Sequence, residues 1–302
     1  MQTNKFENIP ASDFDLALTL DSGQTFHWKK AGPGFVGTIG ERAVYVEQHG
    51  GMLEVRASRK LSESPAPRAC GTLPGLVARY FSLDHPLAEI RASFPGDPAM
   101  QAATKYCRGL RIIRQPRWEC LATFITSSMK QVAHIRQISR TLRERFGTPA
   151  IIYGSHVYAF PSAARLARTT EKELRECALG YRAKTLRATA EQVSRGEIDL
   201  EQITKLPDDE LRARLCALPG VGPKVANCVM LFAYERLRAF PIDVWIERVL
   251  MQKYFPRRRR LTARQLREFA EQHFGDHGGY AQQYLFHHAR KTTPRRLSPR
   301  AR

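Results

Sequence analysis

The chain has 302 residues, 43% hydrophobic and 25% charged, enough apolar content for one large or two ordinary domains with cores and too much for a disordered chain. Its formal net charge of +19, from 48 Lys+Arg against 29 Asp+Glu, favours a polyanion partner through salt-sensitive attraction to phosphates, though a generically basic surface would carry the same excess. The polar opening MQTNKFENIP has no secretory h-region, no stretch nears the ~20 apolar residues of a membrane span, and the six cysteines form no CxxC pair, which argues against a zinc knuckle or four-cysteine iron–sulfur cluster and for reduced, buried thiols.

Residues 14–57 read as strands and turns. FVGTIG and AVYVEQ carry β-formers, HGG at 49–51 is a turn, and MLEVRA alternates again, so an antiparallel sheet is expected near the N-terminus. The Pro/Ser-rich LSESPAPRAC (61–70) separates this sheet from a helical region. From about residue 76 the pattern becomes helical. Leu121, Phe124, Ile125 and Ser128 form one stripe; Ile135, Ile138, Leu142 and Phe146 form a second, stopped by Gly147. Further helices are predicted at 163–178, 184–195, 208–217, 223–235 and 244–252, and the last is AQQYLFHHARK (281–291). No internal repeat is visible. RRRR (257–260) and the tail TTPRRLSPRAR (292–302) add phosphate attraction, with a solvated charge run as the plainer reading.

The stretch LPGVGPKVANCV (218–229) concentrates the chemistry. Gly220 and Gly222 permit a tight hairpin around Val221, with backbone N–H groups free to face a phosphate. Pro223 suits a first helical turn, where its missing N–H is not needed. Lys224 then stands at the positive end of a helix dipole, where carrying a cation is least favourable and a neutral, nucleophilic amine is favoured. A phosphate-binding lysine after a Gly-rich turn would use the same residues. Asp243 precedes the next helix and can cap it. A carboxylate near Lys224 could also stabilise positive charge on a sugar or help the amine lose its proton.

The hairpin Leu218-Pro-Gly-Val-Gly222 with Lys224 and Asp243 resembles the helix-hairpin-helix (HhH-GPD) DNA glycosylase superfamily. SGQTFHW (22–28), YFSLD (80–84), RQPRWECLATFITSS (114–128), FPSAARLA (160–167), LGYRAK (179–184) and YAQQYLF (280–286) resemble, in order, one branch of it, the 8-oxoguanine DNA glycosylase/AP lyases. The resemblance implies an α+β fold, with an N-terminal twisted antiparallel sheet packed on an all-α helix-hairpin-helix domain. On that reading residues 1–115 form the sheet domain with connecting helices, 116–290 the helical domain, and 291–302 a basic tail. It implies a bifunctional base-excision-repair enzyme acting on double-stranded DNA that contains oxidised guanine. The damaged base is flipped out, because its glycosidic bond cannot be reached in the stack. Lys224 would attack C1′ and form a Schiff base, and Asp243 would support the charged sugar. No metal or cofactor is required, a monomer suffices, and the expected setting is cytoplasmic and nucleoid-associated, or nuclear in a eukaryote.

By the same resemblance Gly23, Cys228, Gln282 and Phe286 line the lesion-base pocket. The Gly23 carbonyl would accept the N7–H of 8-oxoguanine, where guanine presents only an acceptor. Gln282 and Phe286 lie at i and i+4, one to read the base edge and one to stack on its face. Cys228 would cover the other face, Tyr181 would be the wedge, and Arg182 would face the orphaned base. Met129, Lys130, Gln131 and His134 depart from that branch, which has an asparagine run and then an arginine there, so weak dependence on the opposite base is expected. Trp245 stands where the branch has a histidine near the lesion's phosphate. Two alternatives remain at this point: a glycosylase for alkylated purines, and a non-catalytic helix-hairpin-helix DNA-binding protein.

Overall fold

The structure is a computed structural model that describes residues 6–58, 71–127 and 131–293. The expected stretch Met129-Lys130, with Ser128, lies outside the described residues, as does the Pro/Ser-rich piece.

Five strands form the N-terminal sheet: β1 (Glu7–Pro10), β2 (Lys29–Ala31), β3 (Gly34–Ile39), β4 (Arg42–His49) and β5 (Met52–Ala57). They are antiparallel in the order β1-β5-β4-β3-β2. Strand β4 is central and buried on both faces. Val44 and Val46 point with Leu53 and Val55 toward α1 (Leu16–Asp21) and α2 (Leu73–Tyr80), meeting Leu16, Val77 and Phe81. Ala43 and Tyr45 point the other way, onto Ala150, Ile152 and Val157. The two-residue period of a strand thus faces two different partners, which pins its register.

Helices α3 (Leu87–Ala92) and α4 (Pro98–Tyr106) lead into α5 (Arg117–Ser127), α6 (Val132–Phe146), α7 (Ala163–Ala167), α8 (Glu171–Leu174), α9 (Arg182–Ser194), α10 (Asp208–Cys216), α11 (Pro223–Tyr234), α12 (Val244–Lys253), α13 (Ala263–Phe274) and α14 (Gly278–Thr292). Helix α5 is buried at every position from Glu119 to Ser127. It packs against α6, α9 and α11, as a helix apolar around most of its circumference must. Leu121, Phe124, Val225, Val229 and Phe232 lie in the resulting core.

Four local expectations are corrected. The sheet begins at Glu7 rather than near residue 14, because β1 pairs with β5 as an edge strand. Residues 16–21 are helical, nucleated by Asp15, whose side chain accepts from the Leu18 N–H. A second sheet, β6 (Pro149–Ile152) with β7 (Ser155–Tyr158), interrupts the helical half and packs on β3 and β4. The helix expected at 163–178 is two, because Thr170 and Glu173 form a capping box that starts α8; Arg175–Leu179 then closes as a π-type turn, with Ala178 at φ +61°.

Candidate active site

The hairpin joins α10 to α11. Gly220 has φ +79°, and a Cβ there would lie 2.9 Å from Thr185 on α9, so both the turn and the packing require glycine. Thr189 donates its hydroxyl to the Pro219 carbonyl at 2.9 Å, tying the turn to α9. Val221 is buried and spends its N–H on the Leu218 carbonyl at 3.1 Å. Of the three expected phosphate contacts, Gly220 and Gly222 are therefore the exposed ones. Gly222 is the N-cap of α11, with no side chain across the helix's positive end.

Lys224 is the second residue of α11 and is half-buried. Its Nζ donates to Ser127 Oγ at 3.3 Å and stands 5.2 Å from the centre of the Phe124 ring. Both neighbours come from α5. Neither was singled out in the sequence for this purpose: Phe124 read as core, and Ser127 lay in a matching segment without a role. Their i, i+3 spacing on one helix face was the available signal.

One turn beyond Lys224, Cys228 is buried, and burial pushes its thiol up to about 11, with Lys224 pulling the other way. Asp243 is the N-cap of α12 and accepts from the Ile246 N–H at 2.8 Å. Burial raises the Asp243 carboxyl, while that N–H and the charge of Lys224 oppose the rise. One carboxylate thus caps α12 and feels the charge of Lys224. Trp245 follows on the first turn of α12, half-buried, with the Arg248 guanidinium 5.4 Å from its ring.

The residues expected to line a base pocket come from the two ends of the chain. Gly23 has φ +89°, and a Cβ on it would lie 3.1 Å from Phe286 Cε1. The carbonyls on either side are held: Ser22 O accepts from Gln283 Nε2 at 2.8 Å, and Gln24 O from Gln115 Nε2 at 2.8 Å. The Gln24 side chain is itself bonded to Ser22 Oγ, Arg111 O and the Ile113 N–H. The backbone on both sides of Gly23 is therefore held in place. Gln282 is buried on the same helix as Phe286, and its Oε1 makes no hydrogen bond among the described residues. A buried acceptor in that state suits a group whose partner is a ligand edge.

Of the residues expected at the wedge and opposite base, Tyr181 is 67% exposed. The Arg182 guanidinium lies 4.4 Å from its ring centre and is buried, so the arginine is set back beneath the tyrosine. His134 is exposed in the first turn of α6. A cavity of about 510 Å³ between the sheet and α6, lined by Phe26, His27, Trp28, Arg136, Arg143 and Tyr158 among others, is separate from these groups; none of Lys224, Asp243, Gln282 or Phe286 lines it. Among the described residues no cluster of three or more His, Cys, Asp or Glu side chains could hold a metal ion.

The amine in the first turn of α11 is thus coupled to the carboxylate that caps α12, next to a hairpin with two exposed glycines. Residues 122–273 match the HhH-GPD superfamily of base excision DNA repair proteins, and residues 8–121 match the 8-oxoguanine DNA glycosylase N-terminal domain. The chain is thus an HhH-GPD DNA repair protein. It is 33% identical to the N-glycosylase/DNA lyase OGG1 of Arabidopsis thaliana over 91% of this chain and 77% of that one. A probable N-glycosylase/DNA lyase of Methanothermobacter thermautotrophicus is 29% identical, over 94% and 96%. The solved structure of Clostridium acetobutylicum 8-oxoguanine glycosylase/lyase with duplex DNA containing cytosine opposite 8-oxoG superposes with a TM-score of 0.84 at 30% identity, covering 97% of this chain and all of that one. Within the superfamily, the chain belongs to the 8-oxoguanine N-glycosylase/DNA lyase family.

Proposed function

We propose that the protein excises 8-oxoguanine from duplex DNA and nicks the strand at the vacated site, with Lys224 as the nucleophile. The observation that carries this reading is the Lys224 amine, held at the start of α11 by Ser127 and Phe124, within electrostatic reach of the half-buried Asp243 carboxylate.

Hairpin amides at Gly220 and Gly222 engage phosphate near the lesion. Tyr181, projecting from its turn, enters the stack as the nucleotide leaves it. The purine lies between Phe286 and Cys228, a stack worth ~1–3 kcal/mol on the aromatic side. Gln282 bonds its edge, and the Gly23 carbonyl accepts N7–H. Guanine would oppose a lone pair to that carbonyl, a penalty of roughly 1–3 kcal/mol. The neutral amine of Lys224 attacks C1′; the glycosidic bond breaks and the base departs with its electron pair. Asp243 stabilises the positive charge that develops on the sugar. Ring opening and loss of the amine proton leave a Schiff base. Removal of a C2′ proton then expels the 3′ phosphate, which is the nick. The enzyme works where the genome is; no helix among the described residues is long and apolar enough to cross a membrane.

Borohydride reduction on an 8-oxoguanine duplex tests the assignment. The unmutated chain is expected to cross-link to DNA. Lys224→Gln is expected to lose the cross-link, the nick and most base release while still binding duplex. A cross-link that persisted in Lys224→Gln would move the nucleophile elsewhere. None from the unmutated chain would point to a water nucleophile or to a binding protein.

A further inference from the structure

Asp21 ends α1 two residues before Gly23, and its carboxylate gathers cations from two other helices. Arg136 of α6 reaches it at 2.7 Å, Lys291 of α14 at 2.6 Å, and Arg290 of α14 at 3.6 Å. Arg290 does more than pair. It donates to the backbone carbonyl of Asp21, its guanidinium lies 5.8 Å from the Phe286 ring, and its Nη1 comes within 3.8 Å of where a Gly23 Cβ would stand. With Gln283 holding the Ser22 carbonyl, the whole 21–23 turn is strapped to α14, the helix that carries Gln282 and Phe286. Arg136, on the other side, is two residues past His134.

An exposed ion pair by itself contributes little. Asp21 differs because one carboxylate holds three cations together. Burial would raise the Asp21 carboxyl, yet hydrogen bonds from Lys291 and Arg136 overcome that and leave it below the usual carboxylate value. Removing the negative charge would leave Arg136, Arg290 and Lys291 facing one another across the seam between the turn, α6 and α14. Their repulsion would be relieved by widening that seam, and the seam contains the contact of Gly23 with Phe286.

We infer that Asp21 is a positioning residue for lesion recognition: it sets the gap between the Gly23 carbonyl and the Phe286 ring by clamping the turn between α6 and α14. This rests on the reading of Gly23 and Phe286 as base contacts. Asp21 itself touches no substrate atom in this scheme. It acts on base release and not on the lysine chemistry.

Two substrates separate those effects. Base release from an 8-oxoguanine duplex needs the slot. Nicking of a duplex with a preformed abasic site needs Lys224 but no base. Asp21→Asn is expected to slow single-turnover base release by roughly tenfold or more, as small misplacements of binding groups do, while abasic-site nicking is unchanged. Asp21→Glu, which restores the carboxylate, is expected to recover most of the loss. Arg290→Lys keeps the charge but cannot grip both the carbonyl and the carboxylate, and is expected to give the same split. Equal losses on both substrates, or no loss on either, in Asp21→Asn and Arg290→Lys would overturn the inference. Failure of the unmutated chain to release 8-oxoguanine would instead overturn the function proposed above.

Discussion

Gly23 illustrates how much one residue can carry. Its φ of +89° costs an L-residue about 1–2 kcal/mol, and a Cβ there would press on Phe286 at 3.1 Å. Gly23→Ala is therefore expected to lower stability by about 1–2 kcal/mol in urea titrations and to abolish preference for 8-oxoguanine over guanine by displacing the ring from the slot. Retained preference would mean that the carbonyl is not the discriminating group. His134 is exposed where the resemblance expects a contact to the opposite strand. A bidentate arginine contact to a base is worth ~1–3 kcal/mol of discrimination, and no arginine stands at this position, while Arg182 is set back under Tyr181. Excision rates opposite the four bases are expected to lie within about tenfold of one another, since roughly 1.4 kcal/mol separates a tenfold difference. His134→Arg is expected to widen the spread in favour of cytosine. A strong cytosine preference in the unmutated chain would refute this account.

At the level of elements, the hairpin is the piece most plainly written in the chain. LPGVGPK marks a glycine turn, a proline at the first helical turn and a lysine in one short run, and α10, the loop and α11 lie within a residue of the expected bounds. Gly220→Ala would force a Cβ to within 2.9 Å of Thr185. Its strain and overlap are expected to remove about 1–3 kcal/mol and to weaken duplex binding, checked by denaturation and by titration with undamaged DNA; full stability with full affinity would mean that the turn tolerates repacking. Elements with competing local signals read less well. The apolar spacing of 163–178 continues across Thr169-Thr170, and the capping box is visible only as Thr170 and Glu173 taken together. The β6–β7 hairpin turns at Tyr153 and Gly154, both at positive φ, but its four-residue strands are too short to outweigh a helical neighbourhood. It is stabilised by lying against β3 and β4, with Tyr153 stacked on Tyr45 at 4.1 Å.

Over the whole molecule, the two halves are joined by a buried polar staple. Arg143 of α6 donates to Glu119 of α5, to Thr38 Oγ1 on β3 at 2.9 Å and to the Tyr158 carbonyl at 2.9 Å. His27 Nε2 meets the Thr38 carbonyl at 2.9 Å, and its Nδ1 lies 3.5 Å from Glu119. Burial, with Arg143 adding to it, holds His27 well below the usual histidine value, and burial lowers His85 and His287 to about 4. As pH falls through about 6.5 the unfolded chain takes up protons on these rings and the folded one does not, so stability falls, by up to roughly 1.4 kcal/mol per pH unit for each ring. Asp21 and Asp84, held low in the fold, lose their contribution in the same direction at still lower pH. Glu119 and Asp243, raised by burial, act in the opposite sense but are fewer than the three histidines. Melting temperature is expected to drop steadily from pH 7 to pH 5 in a scan at constant ionic strength; a constant or rising value would show that these rings are charged in the fold.

The basic character of the chain, its N-terminal sheet and helical half, and the hairpin with Lys224 and Asp243 are legible in the residues alone, because each is encoded by neighbouring or periodically spaced residues. That Ser127 and Phe124 flank the amine, and that Asp21 is held by α6 and α14, emerges solely when the helices pack. Contacts such as Gln283 with Ser22 join residues 261 positions apart. They arise from the packing of whole elements, and no local spacing in the chain records them.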